Sequence, residues 1–514
     1  MVRLISNYSR LILTFAFGII TVRLMAEIGS DAALIYLLLI SSTGIAAMFK
    51  FALQNAQVPA LGLTVDGKSS HDFTEVFWTS FLFGCFAAIL SLAMFSVFWL
   101  FSDELNLGAL SAQTISIAIL STAIKAFASS IGMVFLNLLM IEHRMVTYNI
   151  LLVLERGLVL LPALFVFYLP DGISIDEKLQ YFYLIAAGLT VLLQIVTWWL
   201  SGRTRTDFRL RRVPMRKETS RWIAKFIGWN AAVIVASTMF TRWPPLVVNY
   251  SMGERLTLTI SIVMTLIGYQ RQISMGLVVG LDAQFSRFFG SGEQSAEASA
   301  RALILRSTYL LTAFSAFSVL VISLFVEPIL QLWFGQSLAD SGWRLEDSAQ
   351  LFRIMSIGIA ASIVTEGWMK FLSGRGKVIA FAPHLLLAGA FNIVAVWGAV
   401  HFTDGQRALQ WIAVAFSFSF LAVDIGWIAR NTAQEIGIGL GRLFAIMALP
   451  IAVALLSALP GLLLKGDHWT LVSAGITLAV IGAAGLMTLL AMPRVVKVLA
   501  GAATAQRGTE GAQL

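Results

Sequence analysis

The chain has 514 residues, 58% of them hydrophobic and only 12% charged, with a formal net charge of +8 and a mean hydropathy of +0.82. Soluble domains run to about 45–50% apolar and about 25% charged, so half the usual charge over this whole length excludes a water-soluble globular protein and makes lipid the main solvent. One cysteine, Cys85, excludes an intrachain disulfide framework, and the positive balance reports on membrane orientation, with no nucleic acid implied.

A membrane-spanning helix needs about 20 mostly apolar residues. In chain order, such stretches are expected at 9–28, 33–57, 77–101, 112–141, 146–168, 179–200, 226–250, 255–279, 303–326, 349–372, 378–400, 408–428, 442–464 and 469–492. The predicted fold class is an all-α polytopic membrane protein with about 14 transmembrane helices. The first stretch has no small-residue cleavage site behind a short apolar core and is expected to act as an uncleaved signal-anchor.

The second stretch ends in "MFKFALQNAQVPAL", 48–61. With 3.6 residues per helical turn, Lys50, Gln54 and Gln57 fall within an arc of about 60°, and Thr43, Ala46 and Ala47 extend that face, while Asn55 lies to one side. A span that is polar along one stripe lines water or joins a buried polar network between helices; the lining reading is preferred. Lys125 and Arg156 fall at mid-span, each as ion-pair glue or as a substrate contact, with Glu155 beside Arg156 able to neutralise either.

Residues 201–225, "SGRTRTDFRLRRVPMRKETSRWIAK", form the one long basic stretch, a cytoplasmic linker held against anionic headgroups. Beyond it the pattern repeats. "NYSRLILTFAFGIITVRLMAEIG" resembles "NAAVIVASTMFTRWPPLVVNYSMG", and a constant shift places Gly29 on Gly253 and Gly44 on Gly268. An even number of spans per half makes the two repeats parallel, and in transporters built this way the substrate site lies at the repeat interface. The expected organisation is an N-lobe at 1–200, the linker at 201–225, a C-lobe at 226–428, two further helices at 429–492 and a disordered cytoplasmic tail at 493–514.

In the second half, "GYQRQISMG" places Arg271, flanked by Gln270 and Gln272, one turn from the counterpart of Lys50. Arg23 and Arg242 form a looser pair in the first span of each half, and Pro244 and Pro245 should break the helix behind Arg242. Arg306, Arg353 and Lys370 lie near span ends, from which long cationic side chains snorkel to the interface. The in-span acids are Glu155, Glu366 and Asp424; Glu366 and Lys370, four apart, are expected to pair. A cavity rich in cations prefers an anion, and arginine suits phosphate through its bidentate fork.

Short-loop lysines and arginines set orientation. One set of loops carries about 22 and the other about five, the poorer set holding acids such as Glu27, Asp31, Asp103, Glu104, Asp176 and Glu177. Both termini are therefore expected in the cytoplasm. The histidines, at 71, 143, 384, 401 and 468, have no metal-ligand spacing, and no P-loop or dinucleotide loop is present. No acid/base or nucleophile constellation points to an enzyme.

The fourteen spans, the paired six-span lobes, the opening "NYSRLILTFAFGIITVRLM…IG" and "EPILQLWFG" closing the ninth span resemble the polysaccharide repeat-unit (Wzx-type) flippases of the multidrug/oligosaccharidyl-lipid/polysaccharide (MOP) exporter superfamily. The resemblance implies two parallel six-helix lobes around a central cavity. It also implies alternating-access transport of an undecaprenyl-pyrophosphate-linked oligosaccharide across the bacterial inner membrane, for O-antigen or exopolysaccharide assembly. Lys50 and Arg271 would engage the pyrophosphate; Arg23, Arg156, Arg242 and Lys125 would line the path; Gln54, Gln57, Gln270 and Gln272 would meet sugar hydroxyls. No cofactor or metal is implied beyond a coupling ion (H+ or Na+) or the membrane potential, and partners would be the lipid bilayer and other polysaccharide-assembly membrane proteins. Related lipid II flippases have an Arg-Asp pair in the first span, where Arg23 here is followed by Leu24. The drug antiporters use intramembrane acids where this chain has cations. A membrane-embedded polysaccharide polymerase or ligase is a third reading.

Overall fold

A computed structural model describes residues 2–65, 71–142, 144–204, 213–214, 216–278, 281–290, 294–335, 337–338, 341–464 and 469–510. Among these the secondary structure is helical: α1 (Val2–Ile28), α2 (Ser30–Val65), α3 (Phe73–Leu100), α4 (Ala112–Ile141), α5 (Met145–Phe167), α6 (Ile175–Gly202), α7 (Lys217–Thr241), α8 (Trp243–Met252), α9 (Glu254–Val278), α10 (Leu281–Gly290), α11 (Gln294–Phe334), α12 (Leu345–Gly374), α13 (Ala382–Phe402), α14 (Gly405–Phe420), α15 (Ala429–Ile436), α16 (Leu440–Ser457), α17 (Leu459–Leu464) and α18 (Leu471–Glu510). A π-helical segment, Leu421–Ile428, joins α14 to α15.

Thirteen membrane-length apolar helices are found among the described residues, each over an expected span. The exception is the eighth expected span. Its helix, α9, has the length but carries Gln270, Arg271 and Gln272 in its second half, which lowers its hydropathy below that of the others. Large apolar side chains such as Phe86, Ile89, Leu120, Leu161, Leu387 and Val394 are exposed along these helices. In water such a surface would drive association; in a bilayer it is the surface that lipid requires.

Helix ends follow local sequence. Asp72 caps α3 by accepting from the Thr74 and Glu75 amides. Ser174 and Glu177 close a reciprocal capping box on α6, satisfying two amides that a helix start leaves orphaned. Arg242 separates α7 from α8, and Pro244 and Pro245 fall in the first turn of the new helix, where a missing N–H costs nothing. Two expected boundaries shift. Residues 217–225 of the basic stretch are already helical, as the start of α7, with Thr219 buried and donating to Glu75; residues 205–212 of that stretch lie outside the described residues. The expected tail from 493 continues α18 as far as Glu510.

The chain forms two compact units. The first comprises Met1–Ile262, Trp333–Arg344 and Val396–Gln406; the second comprises Val263–Leu332, Leu345–Ala395 and Arg407–Leu514. In the first unit α2 is central, packing on α3, α4 and α7, while α4 packs on α6 and α1 on α5. Asn249 of α8 and Asn106, in the connection between α3 and α4, exchange hydrogen bonds of 2.6–3.1 Å. Trp333 donates to the Ile19 carbonyl at 3.0 Å, which ties the "LWFG" stretch to the first span.

In the second unit α12 is the central helix, with 72% of its membrane-length stretch buried, against 67% for α2 in the first unit. A methyl group added to Gly358 of α12 would stand 2.7 Å from the Ser417 Cα of α14, and backbone cannot give way as a side-chain tip can. Gly358→Val should therefore destabilise by about 1–3 kcal/mol or more through overpacking. Thermal unfolding of the purified chain reads this directly, with Gly268→Val, where nothing stands within 4 Å of the added methyl, as the mild comparison.

Candidate functional site

The two most buried spans carry the charge that lipid should exclude. In the first unit, Lys50 of α2 donates from Nζ to Ser129 Oγ of α4, which in turn donates to Glu155 Oε1 of α5 at 2.8 Å. Lys50 Nζ stands 3.6 Å from the same carboxylate oxygen, and its side chain is only 11% exposed. Lys125 and Arg156 both lie within electrostatic range of Glu155. Glu155 thus pairs with Lys50, not with the Lys125 or Arg156 that sequence proximity suggests. Three cations surround one carboxylate, leaving an excess of positive charge. A cavity of about 10 Å³ touches Lys50, Ser129, Glu155, Gln194 and Thr197, space for a single water.

The rest of the α2 stripe is packed. Gln54 donates to Tyr148 Oη of α5 at 3.4 Å. Gln57 is fully buried, donating to the Val134 carbonyl at 3.2 Å and accepting from Asn137 at 2.8 Å. The stripe therefore turns toward α4 and α5. Gln57 belongs to an interhelical polar network and offers nothing to a sugar in this structure; Gln54 is half-buried, and the Lys50 side chain keeps only a small exposed fraction.

Arg242 lies against Gly44 of α2, whose absent side chain makes the room: an added methyl would stand 2.5 Å from the Arg242 Nε. Gly44→Val should displace the guanidinium while leaving Lys50, two turns away, paired. A fall in unfolding temperature comparable to that of Arg242→Gln checks this. Arg23 is half exposed and pairs along its own helix with Glu27 at 2.8 Å.

In the second unit Arg271 of α9 forms a 2.7 Å ion pair with Glu366 of α12, with side chains 20% and 8% exposed. This replaces the expected Glu366–Lys370 pair; Lys370 reaches Asp282 of α10 at 3.4 Å instead. An i,i+4 pair on a helix surface is worth about 0.2–0.5 kcal/mol, too little to hold Glu366 from a buried guanidinium. Asp424, in the π-helical segment, is 1% exposed and within electrostatic range of both Arg271 and Glu366. It sits beside Thr365, whose hydroxyl donates to the Ala361 and Ser362 carbonyls. Two carboxyl groups face one cation here, the reverse of the first unit. Gln270 is buried and Gln272 exposed. Of the three cations expected to snorkel, Arg306 is exposed, whereas Arg353 pairs with Glu327 at 2.6 Å.

Neither a protein-family model nor any curated protein sequence matches the chain. Solved structures do. An inward-facing multidrug resistance MATE family transporter of the MOP superfamily matches with a TM-score of 0.61 at 14% identity, over 84% of this chain and 98% of its own. The lipid II flippase MurJ in an inward closed conformation matches with a TM-score of 0.63 at 11% identity, over 96% of this chain and 99% of its own. A MOP superfamily transporter from Pyrococcus furiosus, described as having a binding pocket of reverse polarity, gives a TM-score of 0.55 at 13% identity, over 84% and 96% of the two chains. The chain therefore has the all-α, multi-pass fold of the MOP superfamily, and the length it has beyond the MATE transporters is matched in MurJ.

Proposed function

We propose that this protein is a flippase of the Wzx type. It would move an undecaprenyl-pyrophosphate-linked oligosaccharide across the bacterial inner membrane by alternating access, for O-antigen or exopolysaccharide assembly, with both termini cytoplasmic. The observation that carries the reading is the grouping of Lys50, Lys125 and Arg156 about the single carboxylate Glu155, in an apolar environment where each cation costs about 2.5–3.5 kcal/mol to insert. Such a cost is met by function more readily than by structure, and an excess of cations selects an anionic cargo. The pyrophosphate would compete with Glu155 for Lys50, and Gln54 would meet the sugar nearest it. The tail would remain in lipid.

A second reading, an ion-coupled exporter, is favoured by one observation: the buried Asp424 and Glu366 of the second unit, which supply intramembrane acids. The two readings separate on removal of the protein from its host. Loss of surface polysaccharide with accumulation of the lipid-linked repeat unit supports the flippase. Unaltered polysaccharide with changed drug resistance supports the exporter, and polysaccharide of altered chain length points to a polymerase or ligase.

A further inference from the structure

An apolar groove in the second unit, about 440 Å³, has an ion pair at one end. Its walls come from one face each of α11, α12 and α16 and from Leu421 and Ile425 of the π-helical segment. On α12 the lining runs from Arg353 to Val364, and on α11 from Ser323 back to Thr312. At 1.5 Å per residue each wall is about 16 Å long, the depth of one leaflet of a hydrocarbon core about 30 Å thick. Hydroxyls along the groove are spent on the protein itself: Ser315 donates to the Ala360 carbonyl, Thr312 to the Thr308 carbonyl and Ser356 to the Arg353 carbonyl. What remains is an apolar slot that water gains nothing by entering.

At its end Arg353 donates from Nε to the Ser323 carbonyl at 3.2 Å and from Nη2 to Glu327 Oε1 at 2.6 Å. That uses two of the five N–H groups of a guanidinium. The two side chains are 39% and 31% exposed, so both can be reached. A fixed positive and a fixed negative group side by side match neither an anion nor a cation; they match a headgroup carrying both charges.

We propose that this groove is a binding site for a zwitterionic membrane phospholipid with a primary ammonium, phosphatidylethanolamine in chemical class. One acyl chain fills the slot, the phosphate accepts from the unused N–H groups of Arg353, and the ammonium donates to Glu327. Leu421 and Ile425 of the π-helical segment form part of the wall, and π-helical turns recur at functional sites.

The test uses the full chain purified in detergent. Native mass spectrometry against phosphatidylethanolamine, phosphatidylcholine and phosphatidylglycerol should show the first bound at least about fivefold tighter than the second, whose quaternary ammonium has no N–H to donate, equivalent to about 1 kcal/mol. Glu327→Gln should turn the preference to phosphatidylglycerol, and Arg353→Gln should abolish selectivity; Arg353→Lys and Glu327→Asp keep the test available should the neutral variants misfold. A phosphatidylethanolamine carrying a mid-chain photo-crosslinker should label residues within 312–364 and 421–455, and Ala360→Phe should block that labelling. Labelling elsewhere, or a headgroup ranking unmoved by both substitutions, overturns the proposal. So does displacement of the label by polyprenyl phosphate, which would assign the slot to the tail of the cargo.

Discussion

If the protein is the flippase proposed above, replacing Lys50 with alanine should abolish transport and also weaken the protein, and the two effects can be separated. The ammonium and the Glu155 carboxylate are 3.6 Å apart, 11% and 28% exposed, with Ser129 between them. Removing one member of a buried pair costs about 3–5 kcal/mol when its partner is left uncompensated; Lys125 and Arg156 stay within electrostatic range of Glu155, which argues for the lower end, about 3 kcal/mol. Lys50→Ala alone is therefore ambiguous, because lost activity could follow from lost protein. The double variant Lys50→Met/Glu155→Met resolves this. It removes both charges and fills the space with flexible apolar side chains, and such replacements are commonly neutral or stabilising. Lys125 and Arg156 lose the Glu155 carboxylate in this variant, so the expected result is a protein somewhat less stable than the wild type that still reaches the membrane and supports little or no surface polysaccharide. Wild-type polysaccharide from the double variant would falsify the role of this pair in cargo binding. Glu155→Gln is the informative partner: it frees Lys50 of its competitor, so binding of inorganic pyrophosphate to the purified chain should tighten rather than weaken.

The spans were legible from sequence because bilayer thickness fixes their length and no internal partner can substitute for apolarity. Expected 112–141 and observed Ala112–Ile141, or expected 146–168 and observed Met145–Phe167, agree closely for that reason. Which charged groups meet was not legible. Lys50 and Glu155 sit on different helices, as do Arg271 and Glu366, and only the packing of α2 and α5 on α4 and the approach of α9 to α12 bring each pair together. The sequence offered nearer partners, Arg156 for Glu155 and Lys370 for Glu366, and both lost to a cross-helix partner in the interior. Gln57 misled in another way. Its position on the Lys50 stripe was right, but Asn137 of α4 had no signal in one sequence as its partner. A stripe of amides on a span reads the same whether it faces water or another amide. The asymmetry of the units follows from the same limit. Arg271 lies one turn from the counterpart of Lys50, yet its neighbours Glu366 and Asp424 make its surroundings acidic where those of Lys50 are basic.

That asymmetry predicts the second large effect. Arg271→Gln takes from Glu366, 8% exposed, its ion-pair partner and from Asp424, 1% exposed, a cation within electrostatic range. Breaking a buried ion pair by removing one partner costs about 3–5 kcal/mol, and with a second acid beside it this is the largest loss expected for any single in-span cation. The compensating substitution is specific. Arg271→Gln/Glu366→Gln restores charge balance at the broken pair and should recover most of the thermal stability, whereas Arg271→Gln/Lys370→Gln should recover none, because Lys370 is committed to Asp282. Transport by the rescued double variant then decides what Arg271 is for. If it is a cargo ligand paired with Glu366 only at rest, the stable double variant exports nothing. If the pair is interhelical glue, the double variant exports normally, and anion recognition rests with Lys50, Lys125 and Arg156 alone. The acid-rich surroundings favour the second outcome: a pyrophosphate approaching Arg271 must displace one carboxylate and pass another, whereas at Lys50 it displaces one and meets two further cations. Asp424→Asn separates the remaining role. With Arg271 and Glu366 still paired it should fold normally, and it should change the dependence of transport on proton or sodium gradients only if this buried acid carries the coupling ion.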